Sequence, residues 1–243
     1  MYREWASPLP HVVAWRSVTP PHDEPRRAGQ TRAEQGRGEP KRGEPKRILP
    51  DGCLDLIWQD GTVFVAGPDT TARVTLPPPG SRFAALRFGV GTGPGVLGVP
   101  ASELVDQRVP LDALWPAAAV RAIAEAADPV AALTAAAGRR WQDADRVMVA
   151  LAGAARAGLP VGAVADRCGL SARQLQRRSN TAFGYGPKTL HRIFRLQRAV
   201  ALARAGRPFA TVSADAGYAD QAHLAREVRA MAGVPLSALL LRR

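Results

Sequence analysis

Two segments of the sequence place arginine, glutamine and alanine where one face of a helix would carry them together. In the first segment, Arg173, Gln176 and Arg177 follow one another at spacings of three and four residues, which brings side chains to one face of an α-helix. In the second segment, the outward set is Gln221, Ala222, Ala225 and Arg226. Arginine and glutamine can each make two hydrogen bonds to a guanine or adenine edge, and alanine can contact a thymine methyl group. These side chains therefore predict the reading of base edges in the major groove of double-stranded DNA.

Each set lies in a copy of the same local pattern. The first copy has Gly169 and then Ser171 ahead of its set, and the second has Gly217 and then Asp220. A short helix, a glycine where the backbone turns, a capping residue and a second helix form a helix-turn-helix unit. We predict the second helices at about residues 172–181 and 221–231. Their inward-facing residues are Leu175 in the first, and Leu224, Val228 and Met231 in the second.

A single predicted helix joins the two units. Pro187 suits its first turn, and the pattern continues to about Ala205. A helix of about 18 residues is about 27 Å long at 1.5 Å per residue. That length could hold the two second helices about one DNA turn, or 34 Å, apart on one side of the duplex.

The positive charge is concentrated in the same part of the chain. The whole sequence has a formal net charge of +12, and residues 148–243 contain 15 Arg and Lys against 4 Asp and Glu. A basic block of this kind indicates a polyanionic partner. By itself the charge leaves DNA, RNA and an anionic membrane surface open.

The N-terminal half has a different pattern. Residues 53–58, 62–66, 72–76 and 83–88 predict short strands with turn residues between them, and residues 101–157 predict helices. Residues 22–47 contain no Val, Ile, Leu, Phe, Trp or Tyr, so we predict a disordered loop, with a nucleic-acid-binding tail as the alternative. Five aromatic residues could form core or line a ligand pocket: Trp58, Phe64, Phe83, Phe88 and Trp115.

The basic block resembles a known family of transcription regulators, AraC/XylS. The resemblance rests on Gly169-Leu-Ser171, on Gly184-Tyr-Gly-Pro-Lys188, and on Ala216-Gly-Tyr-Ala-Asp220 with His223-Leu-Ala-Arg-Glu227 and Ala232-Gly-Val-Pro235. It implies a domain of about seven helices with two helix-turn-helix units and base contacts from the two sets named above. Residues expected on the DNA backbone or beside the bases are Ser171, Lys188, Arg192, His223 and Arg229. Ser179 and Val228 stand where the family usually has a core Phe, so we expect looser packing there, with Phe183 or Phe194 filling part of the first gap.

The N-terminal half resembles a domain that is fused to many such regulators. Leu49-Pro-Asp-Gly-Cys-Leu-Asp-Leu56 and Leu111-Asp-Ala-Leu-Trp115 carry part of this resemblance. It implies a cupin-like β fold that senses a ligand or forms dimers. The expected fold class is thus α+β, with a β-rich domain at 1–140 and a DNA-binding domain at 141–243.

Expectations also follow for the location, the chemistry and the partners of the protein. We expect a cytoplasmic DNA-binding regulator that is not an enzyme, with no cofactor and no metal, and no membrane contact, because the chain has no apolar stretch long enough to span one. Further partners are a small-molecule effector, a homodimer and, for an activator, RNA polymerase. One alternative is an N-terminal enzyme or chemical sensor, for instance one that accepts a methyl group on Cys53; another is an architectural DNA binder without sequence preference. Cys168, on an apolar helix position, is expected in the core.

Overall fold

The computed structural model describes residues 2–20 and 45–240. Its strands are β1 (Tyr2–Ala6), β2 (Val12–Val18), β3 (Lys46–Ile48), β4 (Leu54–Gln59), β5 (Thr62–Ala66), β6 (Arg73–Thr75), β7 (Arg82–Phe88) and β8 (Arg108–Pro110). Its α-helices are α1 (Gly93–Leu97), α2 (Ala117–Ala124), α3 (Pro129–Arg139), α4 (Arg146–Ala157), α5 (Val161–Arg167), α6 (Ala172–Phe183), α7 (Pro187–Arg204), α8 (Phe209–Ala216), α9 (Gln221–Ala232) and α10 (Leu236–Leu240). Short 3-10 helices lie at Ala101–Glu103 and Leu111–Ala113. The fold is therefore α+β, as the sequence predicted.

Six strands form one antiparallel sheet in the order β1-β2-β7-β4-β5-β8, while β3 pairs with β6 separately. Strands β1 and β8 are the two edges of the sheet within the described residues, so the sheet is open there. Alternation along β4 buries Leu54, Leu56 and Trp58 and leaves the residues between them half-buried. Because paired strands keep the same period, one face of the sheet becomes continuously apolar. Helices α2 and α3 cover that face and add Ile123 and Leu133 to its core.

The four predicted strands are present as β4, β5, β6 and β7, each with ends within one residue of the prediction. Strands β1 and β2, which extend the sheet beyond β7, were not predicted. The prediction of helices over residues 101–157 is wrong at Arg108–Pro110, since this stretch forms β8 and pairs with β5. Of the five aromatic residues, Trp58, Phe88 and Trp115 are in the core.

The predicted disordered loop, residues 22–47, lies outside the described residues as far as residue 44. At its end the prediction is wrong, because Lys46 and Arg47 belong to β3 and pair with Thr75 and Val74 of β6. Backbone pairing with β6 supplies partners that a local reading of the sequence cannot anticipate.

Within the described residues beyond 140, the chain forms seven helices, α4 to α10, in agreement with the expected number. Helices α6 and α9 match the two predicted second helices, and α7 has 18 residues. Phe183 and Phe194 are both buried in the core of this half, and the filling of the gap at Ser179 by one of them stays a prediction. Val228 is also fully buried there, and the expected looser packing at that position stays a prediction.

The two halves of the molecule are in direct contact. The core of the helical half includes Val90, and Leu49, Cys53 and Val105 pack against it. In addition, Gln197 of α7 donates a hydrogen bond to the carbonyl oxygen of Pro50 at 2.6 Å. Contacts of this kind attach the loops of the sheet to the helices that carry the basic block. The boundary near residue 140 falls between α3 and α4 and stays a prediction.

Candidate DNA-binding surface

Helix α6 presents the first predicted set to solvent. The hydroxyl of Ser171 accepts a hydrogen bond from the backbone N–H of Gln174, and the Gln174 side chain in turn accepts one from the backbone N–H of Ser171. This reciprocal cap fixes where the helix begins. Gly169, with φ of +62°, makes the turn before it, a conformation that costs a glycine little.

The set itself lies along one exposed side of α6. Arg173, Gln176 and Arg177 are all exposed. Gln176 donates a hydrogen bond to Asn180 at 2.9 Å, whereas neither arginine forms an ion pair within the described part of the chain. Arg173 and Arg177, with Ser171 and Gln174, line an open cleft of about 430 Å³. Two guanidinium groups are thus free to meet an acceptor from outside.

Helix α9 presents the second set in the same way. Asp220 caps its start by accepting a hydrogen bond from the backbone N–H of His223 at 2.6 Å, and Gly217, with φ of +83°, makes the preceding turn. The inward residues are all buried: Leu224, Val228 and Met231. The outward residues are all exposed: Gln221, Ala222, Ala225 and Arg226.

His223 helps to order the turn in front of α9. Its Nδ1 atom accepts a hydrogen bond from the backbone N–H of Ala219 at 3.3 Å, and its ring meets Tyr218 edge-on with centroids 5.3 Å apart. The ring is only half exposed. His223 therefore lies beside the outward set, as expected, and its contacts also order the turn from which that set follows.

A carboxylate that the sequence analysis did not single out connects α9 to α7. Glu227 accepts hydrogen bonds from Arg192 at 2.9 and 3.1 Å and from Arg195 at 3.2 Å. The hydrogen bonds from Arg192 lower the pKa of Glu227, against the opposing effect of burial, so this group stays ionised. Arg195 also stacks over the ring of Tyr218 at 4.6 Å. The signal was present in the sequence, since Glu227 is the one acidic residue of α9, but its partners are more than thirty residues away.

The remaining predicted backbone contacts lie on or near α7. Lys188 and Arg229 are exposed, while Arg192 is exposed but engaged with Glu227. Lys188, His191, Arg192 and Arg195 follow one side of α7 and line an open groove of about 480 Å³, together with Leu159, Pro160, Gly162, Leu175 and Pro187. Burial, and then the nearby Arg195 and Arg198, lower the pKa of His191. The positive charge of the groove therefore comes from Lys188, Arg192 and Arg195.

The two cysteines differ from each other in exposure. Cys168 is exposed, which makes the expectation of a core residue wrong, because the turn after α5 carries it to the surface. Cys53 is partly buried between the two halves. Burial, and secondly the carboxylate of Asp51, raise the pKa of its thiol. A thiol with a raised pKa forms little of the nucleophilic thiolate.

Metal-binding clusters and membrane-spanning helices are both absent among the described residues. No group of three or more His, Cys, Asp or Glu side chains there is arranged to hold a metal ion. No helix among the same residues has the length and apolar character needed to cross a membrane.

Comparison with known families gives two matches. A family described as a helix-turn-helix domain matches residues 164–242, and a family described as a domain of unknown function (DUF6597) matches residues 32–110. The first match covers the turn and second helix of one unit and all of the other. No curated protein matches the chain.

Several solved structures are similar to the chain at low identity. One is a probable AraC family transcriptional regulator from Rhodopseudomonas palustris CGA009, at 22% identity, covering 40% of this chain and 97% of that one with a TM-score of 0.36. Another is ToxT from Vibrio cholerae O395, at 6% identity, covering 96% of this chain and 98% of that one with a TM-score of 0.45. A third is unsaturated fatty acid bound ToxT from Vibrio cholerae strain SCE256, at 7% identity, covering 82% and 94% with a TM-score of 0.43.

The helix-turn-helix match and the two capped, outward-facing helices agree on the same residues. Residues 164–242 therefore form a helix-turn-helix domain, a class of domain that binds DNA. This is the part of the chain whose sequence resembles the AraC/XylS regulators.

Proposed function

We propose that the protein recognises a specific operator by reading two successive major-groove segments of double-stranded DNA. Arg173, Gln176 and Arg177 of α6 would contact the bases of one segment. The second segment would be read from α9 by Gln221, Ala222, Ala225 and Arg226. The observation that carries the proposal is that both sets are exposed, on two capped helices. The basic block and the 18-residue α7 between them fit a single chain that spans about one DNA turn.

Other side chains are proposed to hold the DNA backbone. Lys188 and Arg229 are exposed cations near the two reading helices, and we assign them to phosphate groups. Arg192 would share its guanidinium between Glu227 and a phosphate. The hydroxyl of Ser171 and the ring of His223 lie at the starts of α6 and α9, where helix N-termini attract phosphate.

The N-terminal half, residues 1–140, is proposed to modulate binding by residues 141–243. Its cupin-like character, a small-molecule effector and a homodimer belong to this proposal, as does contact with RNA polymerase if the regulator activates. What supports a modulating role is the packing of its loops on the helical core through Leu49 and Val105. The proposed regulator would act in the cytoplasm, where its DNA would lie. Sedimentation of the full chain with and without DNA would test the homodimer.

We also propose that the protein acts by binding alone, without catalysis. Methyl transfer to Cys53 would need an accessible thiolate, and burial raises the pKa of that thiol. After alkylating challenge of the folded protein, mass spectrometry should find Cys53 unmodified. Exposed Cys168 provides a positive control for the reagent. Rapid, stoichiometric modification of Cys53 would instead support the chemical-sensor alternative.

The main test is selection of binding sites from a random-sequence duplex pool, followed by footprinting at about 150 mM salt, since affinity without a stated salt concentration is uninformative. We expect a preferred site with a protected stretch of about two helical turns. Arg177→Ala and Arg226→Ala should each relax discrimination at one base pair by about 1–3 kcal/mol. Arg204→Ala is the matched control, because Arg204 is an exposed arginine of the same basic block outside both sets.

Other outcomes have clear meanings. Lys188→Ala should weaken binding to every sequence alike. It should also reduce the slope of log affinity against log salt concentration by about one unit. If Arg177→Ala and Arg226→Ala also weakened every sequence equally, their assignment to bases would be wrong. If no sequence were preferred at all, the protein would be an architectural DNA binder.

A further inference from the structure

The C-terminal end of α9 is capped by the N-terminal half of the molecule. Arg47 of β3 donates a hydrogen bond from Nη1 to the carbonyl oxygen of Ala232 at 2.7 Å. The backbone N–H of Ala72 donates to the carbonyl oxygen of Met231 at 2.6 Å. These oxygens belong to the last turn of α9, whose carbonyls have no donor within the helix. The guanidinium charge also suits the negative end of the helix dipole.

The C-terminal end of α6 is also held by the N-terminal half. Gly184 ends this helix with φ of +88°, and it lies so close to the N-terminal half that an added Cβ would be 2.5 Å from Cγ2 of Val105 and 3.1 Å from Cγ of Pro68. Phe183, the last residue of α6, is buried, with its ring against Gly91. The end of the first reading helix is thus packed tightly, without space for a side chain at Gly184.

One segment reaches both helix ends. Residues 67–73, which we call the strap, carry Pro68 at the end of α6 and Ala72 at the end of α9. The strap is braced from within the N-terminal half. The carboxylate of Asp106 accepts hydrogen bonds from the backbone N–H and the hydroxyl of Thr70 at 2.7 and 2.6 Å.

Further bonds fix the strap at its two ends. Asp69 forms an ion pair with Arg108 at 3.1 Å, and Arg73 donates to the carbonyl oxygen of Asp106 at 2.7 Å. Asp69 is itself buried, so the strap has little freedom to move independently of the residues around Asp106.

We propose that the strap and Arg47 position the two reading helices relative to each other, so that the N-terminal half sets the spacing between the two DNA segments that the protein can read at once. The inference rests on the proposed reading of DNA by α6 and α9. Helix α7 contacts both reading helices, and Leu175 of the first unit is only half-buried against the shared core. The strap connects the C-terminal ends of the same two helices from the N-terminal half. This further connection would limit rotation of one reading helix relative to the other, and Arg47 is a positioning residue that need not touch DNA.

The test uses the full chain and a duplex selected by the wild-type protein from a random pool. From this duplex, versions are made with one base pair inserted or removed between the two protected segments, which rotates one segment relative to the other by about a tenth of a turn. The variants are Arg47→Met, which removes the donor, Arg47→Lys, which keeps the charge, and Val105→Ala, which loosens the α6 contact. Arg3→Met is the matched control, because Arg3 is an exposed arginine of β1 in the same half.

The expected result is a change in spacing preference rather than in general affinity. Wild type and Arg3→Met should lose about a hundredfold in affinity when one base pair is inserted, because one of the two segments is then misplaced. Arg47→Met should bind the selected duplex about tenfold more weakly and should show a spacing penalty reduced to about tenfold. Arg47→Lys should lie between them, and Val105→Ala should reduce the penalty by a smaller factor. Thermal melting of each variant establishes that it is folded at the assay temperature.

Other results would overturn the inference. If Arg47→Met and Val105→Ala kept the wild-type spacing penalty, contacts from the N-terminal half would not position the helices. If Arg47→Met weakened all spacings by one factor, and Arg47→Lys restored binding fully, Arg47 would be a phosphate contact. A pool that yields no preferred duplex would contradict operator recognition itself, and that failure is distinct from an unchanged spacing penalty on a selected operator.

Discussion

The two helix-turn-helix units share one plan but differ in what holds each second helix in place. In the second unit, α9 is fastened by its own apolar stripe, with Leu224, Val228 and Met231 all buried against the shared core. In the first unit, Leu175 is only half-buried, and the buried residue one turn further on is Ser179. The first half of α6 therefore has much less apolar contact than the corresponding part of α9.

The first unit compensates with contacts outside itself. Arg178 of α6 makes a bidentate ion pair with Asp145, the cap of α4. The last turn of α6 is buried among residues of both halves through Ala182 and Phe183. Helix α9 is thus held by its own apolar stripe, by α7 and by two hydrogen bonds at its C-terminal end, whereas α6 depends more on α4 and on packing against the N-terminal half.

The largest expected difference between the units is in the free energy of unfolding that is lost when one leucine is replaced by alanine. Leu224 is 3% exposed, so Leu224→Ala should lower the free energy of unfolding by about 3 kcal/mol through lost burial and a residual cavity. Leu175 is half-buried, so Leu175→Ala should cost about 1 kcal/mol. Urea unfolding of both variants, followed by circular dichroism, measures the two values. Equal costs would mean that the first unit is packed as tightly as the second.

The next effect concerns the carboxylate that fastens α9 to α7. Glu227→Gln removes the charged partner of Arg192 and Arg195, and we expect it to cost about 2 kcal/mol near pH 7. Because Arg192 lowers the pKa of Glu227 in the folded protein, this contribution is complete above the ordinary carboxyl pKa of about 4.3. It is lost as pH falls through the lowered folded value.

The measurement for Glu227 is the difference in unfolding free energy between wild type and Glu227→Gln from pH 7 down to pH 3. The difference should be largest at neutral pH and should shrink on acidification. Asp145→Asn gives a matched comparison in the first unit, since the pKa of Asp145 is also lowered: burial opposes the shift, but the hydrogen bonds from Arg178 outweigh it. That carboxylate is more exposed than Glu227, so solvent screening should make its effect smaller. A pH-independent difference for Glu227→Gln would show that packing, not charge, fastens α9.

How far the sequence could predict these features depends on how local their causes are. The caps at Ser171 and Asp220 and the turn glycines at 169 and 217 act within a few residues, and α6 and α9 begin where those signals place them. The 18 residues of α7 follow from Pro187 at its start and a continuous helical pattern. Local signals of this kind gave the helices of the basic block correctly.

Features that depend on contacts between residues far apart in the sequence were not predicted. Strand β2 pairs with β7 about seventy residues later, and β8 lies in an Ala-rich region whose composition favours helix. The carbonyl oxygen of Ala232 finds its donor in Arg47, 185 residues away. Glu227 shows the same limit within the candidate site, since its arginines lie on another helix. A pattern on one element cannot reveal which face of another element will meet it.

The smallest expected effect concerns Ser179, the buried serine of the first unit. The hydroxyl of Ser179 is buried, and within the described structure it has no hydrogen-bond partner. An unpaired buried hydroxyl carries an uncompensated desolvation cost, and alanine also has the higher helix propensity. Ser179→Ala should therefore raise the free energy of unfolding by about 1 kcal/mol.

Ser213 of the second unit is the matched control for Ser179. It is also buried, but its hydroxyl donates to the carbonyl oxygen of Ala210 at 2.7 Å, so Ser213→Ala should be neutral or should lower stability by about 0.5 kcal/mol. Urea unfolding of the two variants beside wild type compares the units at one residue type. If only Ser179→Ala raises the free energy of unfolding, the looser packing lies in α6. If both variants lower it, the Ser179 hydroxyl has a hydrogen-bond partner in solution, and the buried serine hydroxyls of the two units are equally well paired.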